Sequence, residues 1–190
     1  MREKRTWTDH EFRSLKFPEK SVTDLVFTDC QFRSCNFSET ELKNCRFENC
    51  QFTGCNLSNS KIIESRFVDV EFDGCKLMGI DWTRVSQPFD VSFHQCLLDY
   101  GNFEQQNLAR IKVTECSARS LYFKECDLTH ANFDGTDLRD ASFENCKLGH
   151  ADFSDAKNLV LELGGNNLAH AILSVETALT LLREFRIVVR

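Results

Sequence analysis

The chain has little of what usually punctuates a folded domain. Its 190 residues include only two prolines, two methionines and two tyrosines. No stretch approaches the roughly 18 consecutive apolar residues of a membrane span. No apolar run follows Met1-Arg2-Glu3-Lys4-Arg5, as it would in a secretory leader. A cytoplasmic protein with no membrane contact is expected. Positive charge is not in excess either: the net charge is -6. That argues against nucleic acid as a direct ligand. There is no glycine-rich phosphate loop, no H-E-x-x-H and no nucleophile elbow. Polar residues are spread along the chain without a catalytic grouping, so neither enzymatic activity nor a cofactor is expected.

What the chain does have is a period. From Leu25 to Leu77 a large apolar residue returns every fifth position, as in Phe27, Phe32, Phe37, Leu42, Phe47, Phe52 and Leu57. Neither the helical period of 3.6 nor the strand period of 2 produces this spacing. A fixed short repeat means a solenoid, in which each unit packs on its neighbours.

The ten cysteines obey the same rule. Cys30, Cys35, Cys45, Cys50, Cys55, Cys75, Cys96, Cys116, Cys126 and Cys146 each lie two residues before a central position. No C-x-x-C pair occurs, and spacings of five do not match zinc motifs. Cysteine here reads as a small buried hydrophobe, and no metal is expected.

The units Cys-Asn-Phe-Ser-Glu (from Cys35), Cys-Asn-Leu-Ser-Asn (from Cys55), Ala-Asn-Phe-Asp-Gly (from Ala131), Thr-Asp-Leu-Arg-Asp (from Thr136) and Ala-Asp-Phe-Ser-Asp (from Ala151) resemble the A(D/N)LXX units of the pentapeptide-repeat family. The resemblance covers about residues 10–173. It implies an all-β solenoid, a right-handed quadrilateral β-helix with four five-residue faces per coil. The central residue and the residue two before it then point inward. A 20-residue coil stacks Phe32, Phe52 and Phe72; Phe27, Phe47 and Phe67; and Leu108, Leu128, Leu148 and Leu168. Seven to eight coils at about 4.8 Å make a rod roughly 35 Å long. Met1 to Thr8 is read as an irregular cap on the first coil, with regular phase beginning weakly at Phe12.

The phase breaks once. Central positions shift by one between Trp82 and Phe93, so one extra residue lies within 83–92, where Pro88 also sits. This is either a bulge at a corner or a contact loop presenting Arg84, Gln87 and Asp90. Phase weakens again around Asn158. The repeat domain is set at 1–173 and a tail at 174–190.

Charge is uneven. Residues 125–155 hold eight acids against Arg139 and Lys147. Asp127, Asp137 and Asp152 occupy the acidic slot of the repeat unit. Glu125, Asp134, Asp140, Glu144 and Asp155 remain, as ordinary solvated surface or as an acidic stripe for a partner. On a rod of duplex-like width such a stripe can imitate DNA to a basic groove. His130, His150 and His170 repeat every 20 residues, one column with Arg110; they are either tolerated surface residues or a site for a shared ligand.

The tail differs in kind. Ser174 can cap a helix beginning at Val175, with Val175, Ala178, Leu179, Leu182 and Phe185 on one face. Ile187-Val188-Val189 follow as a short apolar strand. This pattern resembles the C-termini of family members that protect DNA gyrase, the Qnr-type and microcin-immunity proteins. There a helix and strand form a head-to-head dimer. The resemblance implies a homodimer built on Leu179, Leu182, Phe185, Ile187 and Val189, against the alternative of a cap on a monomer. It further implies a non-enzymatic protein that binds DNA gyrase or topoisomerase IV and protects it from a poison. The alternative is a scaffold for another protein partner.

Overall fold

The computed structural model describes residues 5–17, 20–162 and 164–184, with side chains as far as residue 182. It is a right-handed square β-helix of about eight coils followed by one short helix, α1 (Val175–Glu184). Among the described residues every strand pairing is parallel, and register advances by 20 residues per coil except across the phase break: Phe27 pairs with Phe47, and Phe47 with Phe67.

The five-residue unit dictates this path. Two of its residues turn inward and three remain outside, so the chain must bend sharply once per unit. The bend falls on the residue two after the central one. In the described chain 24 non-glycine residues have φ between 50° and 67°, and all but Asn158 lie at that bend. That left-handed region is tolerated best by Asn, Asp and His among side-chain-bearing residues, and thirteen of the 24 are of those types. The corner amides are paired: Asp29 N–H donates to the Glu48 carbonyl at 3.0 Å, and Ser14 N–H to Arg33 at 3.0 Å. At most positions where Asn or Asp precedes the central residue, its side-chain oxygen accepts the amide two residues on, as Asn36 does from Ser38 (2.9 Å) and Asn56 from Ser58 (3.0 Å), though Asn102 does not. This local turn is the physical content of that slot in the repeat.

Four columns of central residues fill the interior, and the faces are numbered after them. The first runs Trp7, Phe27, Phe47, Phe67, then Leu108, Leu128 and Leu148. The second runs Phe12, Phe32, Phe52, Phe72 and Phe93, the third Phe17, Phe37, Leu57 and Leu77, and the fourth Val22, Leu42, Ile62, Trp82 and Phe103. Phe32–Phe52 and Phe52–Phe72 stack with ring centres 4.5 and 4.9 Å apart; Phe27–Phe47 and Phe47–Phe67 lie at 5.1 and 4.9 Å. The expected columns are therefore those observed. Burial of each ring stabilises by about 1.5–3 kcal/mol, and the sum over stacked columns holds the rod together.

The second inward row explains the cysteines. All ten are free and buried. On the third face, Cys35, Cys55, Cys75, Cys96 and Cys116 form a ladder through five consecutive coils. The Cys35 amide donates to Cys55 Sγ (3.3 Å), Cys55 to Cys75 (3.3 Å), Cys75 to Cys96 (3.4 Å) and Cys96 to Cys116 (3.3 Å). All of these thiols but Cys116 return a bond to a carbonyl of the coil before, as Cys55 does to Phe32 (3.3 Å); Cys116 donates to Thr114 of its own coil (3.2 Å). Thr136 ends the ladder and Ser65 serves alike on the first face, their hydroxyls accepting from Cys116 (3.2 Å) and Cys45 (3.0 Å). A small side chain that both accepts and donates suits these ladder positions, because it gives the buried amide of the preceding coil a partner.

Three details differ from expectation. Arg5–Thr8 is not a cap but the first strand of the first coil, paired with Leu25–Thr28. Trp7 stacks on Phe27 at 5.0 Å, so the repeat begins there and not at Phe12. At the phase break, where only an extra residue within 83–92 was expected, Gln87 is exposed and the inward slots are filled by apolar residues around it. Val85 and Phe89 turn inward, and Phe89 meets Trp82 at 5.5 Å. Register then advances by 21, pairing Val70 with Val91 and Asp81 with Asn102. At the weak point near residue 158, Leu159 is buried in place of Asn158. In each case the apolar side chain nearest the slot fills it.

Candidate functional site

The filled interior leaves no room for a catalytic cavity among the described residues, so any site is a surface. The five acids singled out from the sequence are all exposed. They do not form one stripe. Asp134 lies on the second face and Asp155 at the corner after it. Asp140 lies at the corner between third and fourth faces, Glu144 on the fourth, and Glu125 at the corner leading back to the first. The acids thus wrap three sides of the rod. The first face is different: it carries Arg110, His130, His150 and His170, and its Asp127 is matched by Lys147 at 3.2 Å.

Ion pairing separates structural acids from free ones. Asp127 is held below the ordinary carboxylate range by a hydrogen bond from Thr129 and by Lys147. Partial burial pushes Asp137 up, but Asn158 and the Arg119 guanidinium (2.7 Å) hold it below that range. Glu104 pairs with Lys124 at 2.9 Å. Among the described residues, none of Glu125, Asp134, Asp140, Glu144 and Asp155 forms an ion pair. Glu125 accepts only from Gln105 (2.8 Å) and Glu144 from the Tyr122 hydroxyl (2.7 Å). Their charge is available to a partner.

Two of these acids enter the one groove that joins the rod to its tail. Arg139, Asp140, Asp155, Lys157, Val160, Glu176 and Thr180 line an open groove of about 670 Å³ between the third face and α1. Helix α1 starts as expected: Ser174 Oγ accepts the Thr177 amide at 3.1 Å. It rests on the last coil through Thr177 and Leu181, both buried. Leu181 was absent from the face read from the sequence. Val175, on that face, is 77% exposed, and Leu179 and Leu182 are half-buried. Ile172 and Val160 add exposed apolar surface nearby. The remaining expected interface residues, Phe185, Ile187 and Val189, lie outside the described residues.

The phase-break residues Arg84, Gln87 and Asp90 are all exposed. They sit on a corner drawn in by Val85 and Phe89, and the Gln87 side-chain amide donates to that of Gln106. The histidine column is a stack: His130–His150 and His150–His170 centres are 4.7 and 4.9 Å apart, with planes within 12° and 19°. Stacked parallel rings aim their nitrogens side by side and not at one point. Among the described residues no group of His, Cys, Asp and Glu is placed to hold a metal. All three histidines occupy the left-handed corner position that suits them. One exposed pair went unnoticed in the sequence, Leu97 and Tyr100, at 37% and 66%. The signal was present: each puts a bulky residue into an outward slot of the repeat.

No helix is long and apolar enough to cross a membrane among the described residues. A family model, the pentapeptide repeat region, matches residues 25–103 and 91–173. Among solved structures, the trypsin-treated plasmid-mediated fluoroquinolone resistance protein QnrB1 superposes with a TM-score of 0.67 at 17% identity, covering 95% of this chain and 100% of that one. HetL, a pentapeptide repeat protein involved in heterocyst differentiation regulation from the cyanobacterium Nostoc sp. strain PCC 7120, gives 0.62 at 19% identity over 90% and 88%. At such identities the likeness is one of fold. No match is found among curated proteins.

Proposed function

The chain belongs to the pentapeptide-repeat family, and from that premise we propose that it is a non-enzymatic protein-binding rod. Its partner is a type II topoisomerase, DNA gyrase or topoisomerase IV, in the cytoplasm. It occupies the basic groove that normally holds DNA and so confers resistance or immunity to a gyrase poison. The observation that carries this reading is the set of five exposed acids without basic partners on three sides of the rod. A duplex also presents negative charge around its circumference, and a basic groove is drawn to either. The fold shared with QnrB1 supports it.

The proposal includes a homodimer. The outer side of α1 presents Val175, Leu179 and Leu182 beside Ile172, apolar area that a second copy can cover. A two-fold contact there sets two rods end to end and doubles the length of the acidic surface. The 83–92 segment is secondary: drawn in at its corner, it offers Arg84, Gln87 and Asp90 as rim contacts only. A scaffold role toward another protein is the reading to adopt if the partner has no DNA groove.

The test is a supercoiling assay with purified gyrase, titrating this protein with and without a fluoroquinolone. Restored supercoiling or fewer cleavage complexes supports protection. Inhibition at stoichiometric dose supports DNA mimicry alone. No effect in either format overturns the gyrase reading and leaves the scaffold.

A further inference from the structure

Among the described residues the phenylalanines and tryptophans fill the interior, and the two tyrosines stand outside, on adjoining coils. Tyr100 occupies the corner between the third and fourth faces. Tyr122 lies on the fourth face in register with Asn102, two residues beyond Tyr100. Tyr100 has φ 63°, in the left-handed region. Small polar residues and glycine suit that position, whereas a bulky side chain there is an outlier. Its neighbours in the same corner column are Gly79 and Ser120, related to it by the Gly79-to-Asp99 and Tyr100-to-Arg119 backbone hydrogen bonds at 2.9 and 3.0 Å. Both are small, so the ring stands clear of the rod, and Leu97 is exposed on the third face three residues before it. The fold has no use for a tyrosine at this corner; asparagine or glycine would serve it better.

The surrounding charge says what the ring can meet. Arg119 and Lys124 are committed to Asp137 and Glu104. Asp99 accepts only Ser117 Oγ (2.7 Å) and the Arg119 amide (2.9 Å). Asp140 lies two coils on in the same column, and Glu144 is bound by Tyr122. Lys76, in register with Leu97, is an exposed base at the near edge. An exposed aromatic face within a net acidic rim suits a guanidinium, which stacks on the ring while its donors reach a carboxylate. Tyrosine is also among the residues that dominate interface energies.

We propose that Tyr100, with Leu97 beside it and Asp99 and Asp140 at its rim, is the anchor of the partner interface and receives an arginine from a basic protein surface. This rests on the reading of the partner as a protein with a basic groove; it adds a specific contact to an otherwise diffuse electrostatic attraction. The free acids bring the partner in, and Tyr100 fixes its position.

The test uses Tyr100→Asn in the full chain, with two probes. The first probe is purified DNA gyrase. The second is a pair of hexapeptides, all-arginine and all-lysine, which carry the same charge. Tyr100→Asn is expected to melt at the same temperature as the parent or higher, because asparagine fits the corner. It should bind gyrase at least tenfold more weakly and lose the parent's preference for the arginine peptide. A variant that binds both probes like the parent overturns the anchor even if the parent binds gyrase. A parent that ignores gyrase yet prefers arginine peptide through Tyr100 keeps the anchor and discards the gyrase reading. A parent that shows no arginine preference overturns it. A variant with a lowered melting temperature would mark Tyr100 as structural and also overturn it.

Discussion

Raising pH should unfold this protein through its interior. Burial pushes the Cys50 thiol up to about 12 from 9.0. Cys96 is also pushed up to about 12, by its hydrogen bond with Cys116 and by burial. A group whose folded pKa lies above its unfolded value stabilises fully below the unfolded value and loses that contribution as pH rises toward the folded one. The window here is from about pH 9 to about pH 12. At pH 10 each thiol forfeits about 1.4 kcal/mol, since one pKa unit corresponds to about 1.4 kcal/mol. Two thiols together forfeit about 3 kcal/mol, a large part of a typical domain's 5–15 kcal/mol. Urea unfolding in reductant at pH 7.5, 9 and 10 measures this loss. Alkali acts on other groups as well, so the comparison is with Cys50→Ser/Cys96→Ser. Its stability should fall by about 3 kcal/mol less between pH 7.5 and 10. Parallel profiles for the two proteins would refute the reasoning.

Other outcomes follow from the same contacts. Cys75→Ala removes the acceptor of the buried Cys55 amide and should cost about 1–3 kcal/mol, while Cys75→Ser keeps a partner there and should cost less; equal losses in chemical denaturation would mean that the ladder contributes only volume. Val175→Glu/Leu179→Glu places charge on the outer side of α1 and should convert a dimer of twice 22.0 kDa to a monomer by light scattering, with an unchanged melting temperature. A parent that is monomeric at high concentration removes the dimer from the proposal. Neutralising Glu125, Asp134, Asp140, Glu144 and Asp155 to their amides should slow association with gyrase and flatten its dependence on salt. An unchanged rate at low ionic strength would place the contact elsewhere.

The columns were legible because the repeat imposes one residue type per slot: Phe32, Phe52 and Phe72 could be stacked by counting. Counting failed where the slot was filled by a neighbour. Arg5 stands where a small residue was expected, so Trp7 was assigned with the rest of 1–8 to a cap; the extra residue could be confined only to 83–92 and not traced to Phe89, and Leu159 fills the slot one residue after Asn158. Burial does not respect strict numbering when a polar residue falls in an apolar slot. The acids were legible individually, but their distribution over three faces was not, because a run of acids in sequence turns a corner every five residues. The face of α1 was misread for a different reason. A helix with apolar residues at 175, 178, 179, 181 and 182 has more than one apolar face, and only the last coil decides that Leu181 turns inward.

The spacing of the coils bears on how such a rod can stand in for a duplex. Side chains in one column recur at about 4.8 Å, whereas phosphates along one DNA strand recur at about 3.4 Å of axis. The two scales act as a vernier: five coils and seven base pairs both span about 24 Å, and between those marks the charges fall out of step. A partner whose basic groups are spaced for phosphates would therefore keep step with the columns of this rod only at about 24 Å intervals. On the proposed reading, imitation is of the smoothed field and not of the lattice of charges, and an acid should be replaceable by one at a neighbouring position so long as the total per length is kept.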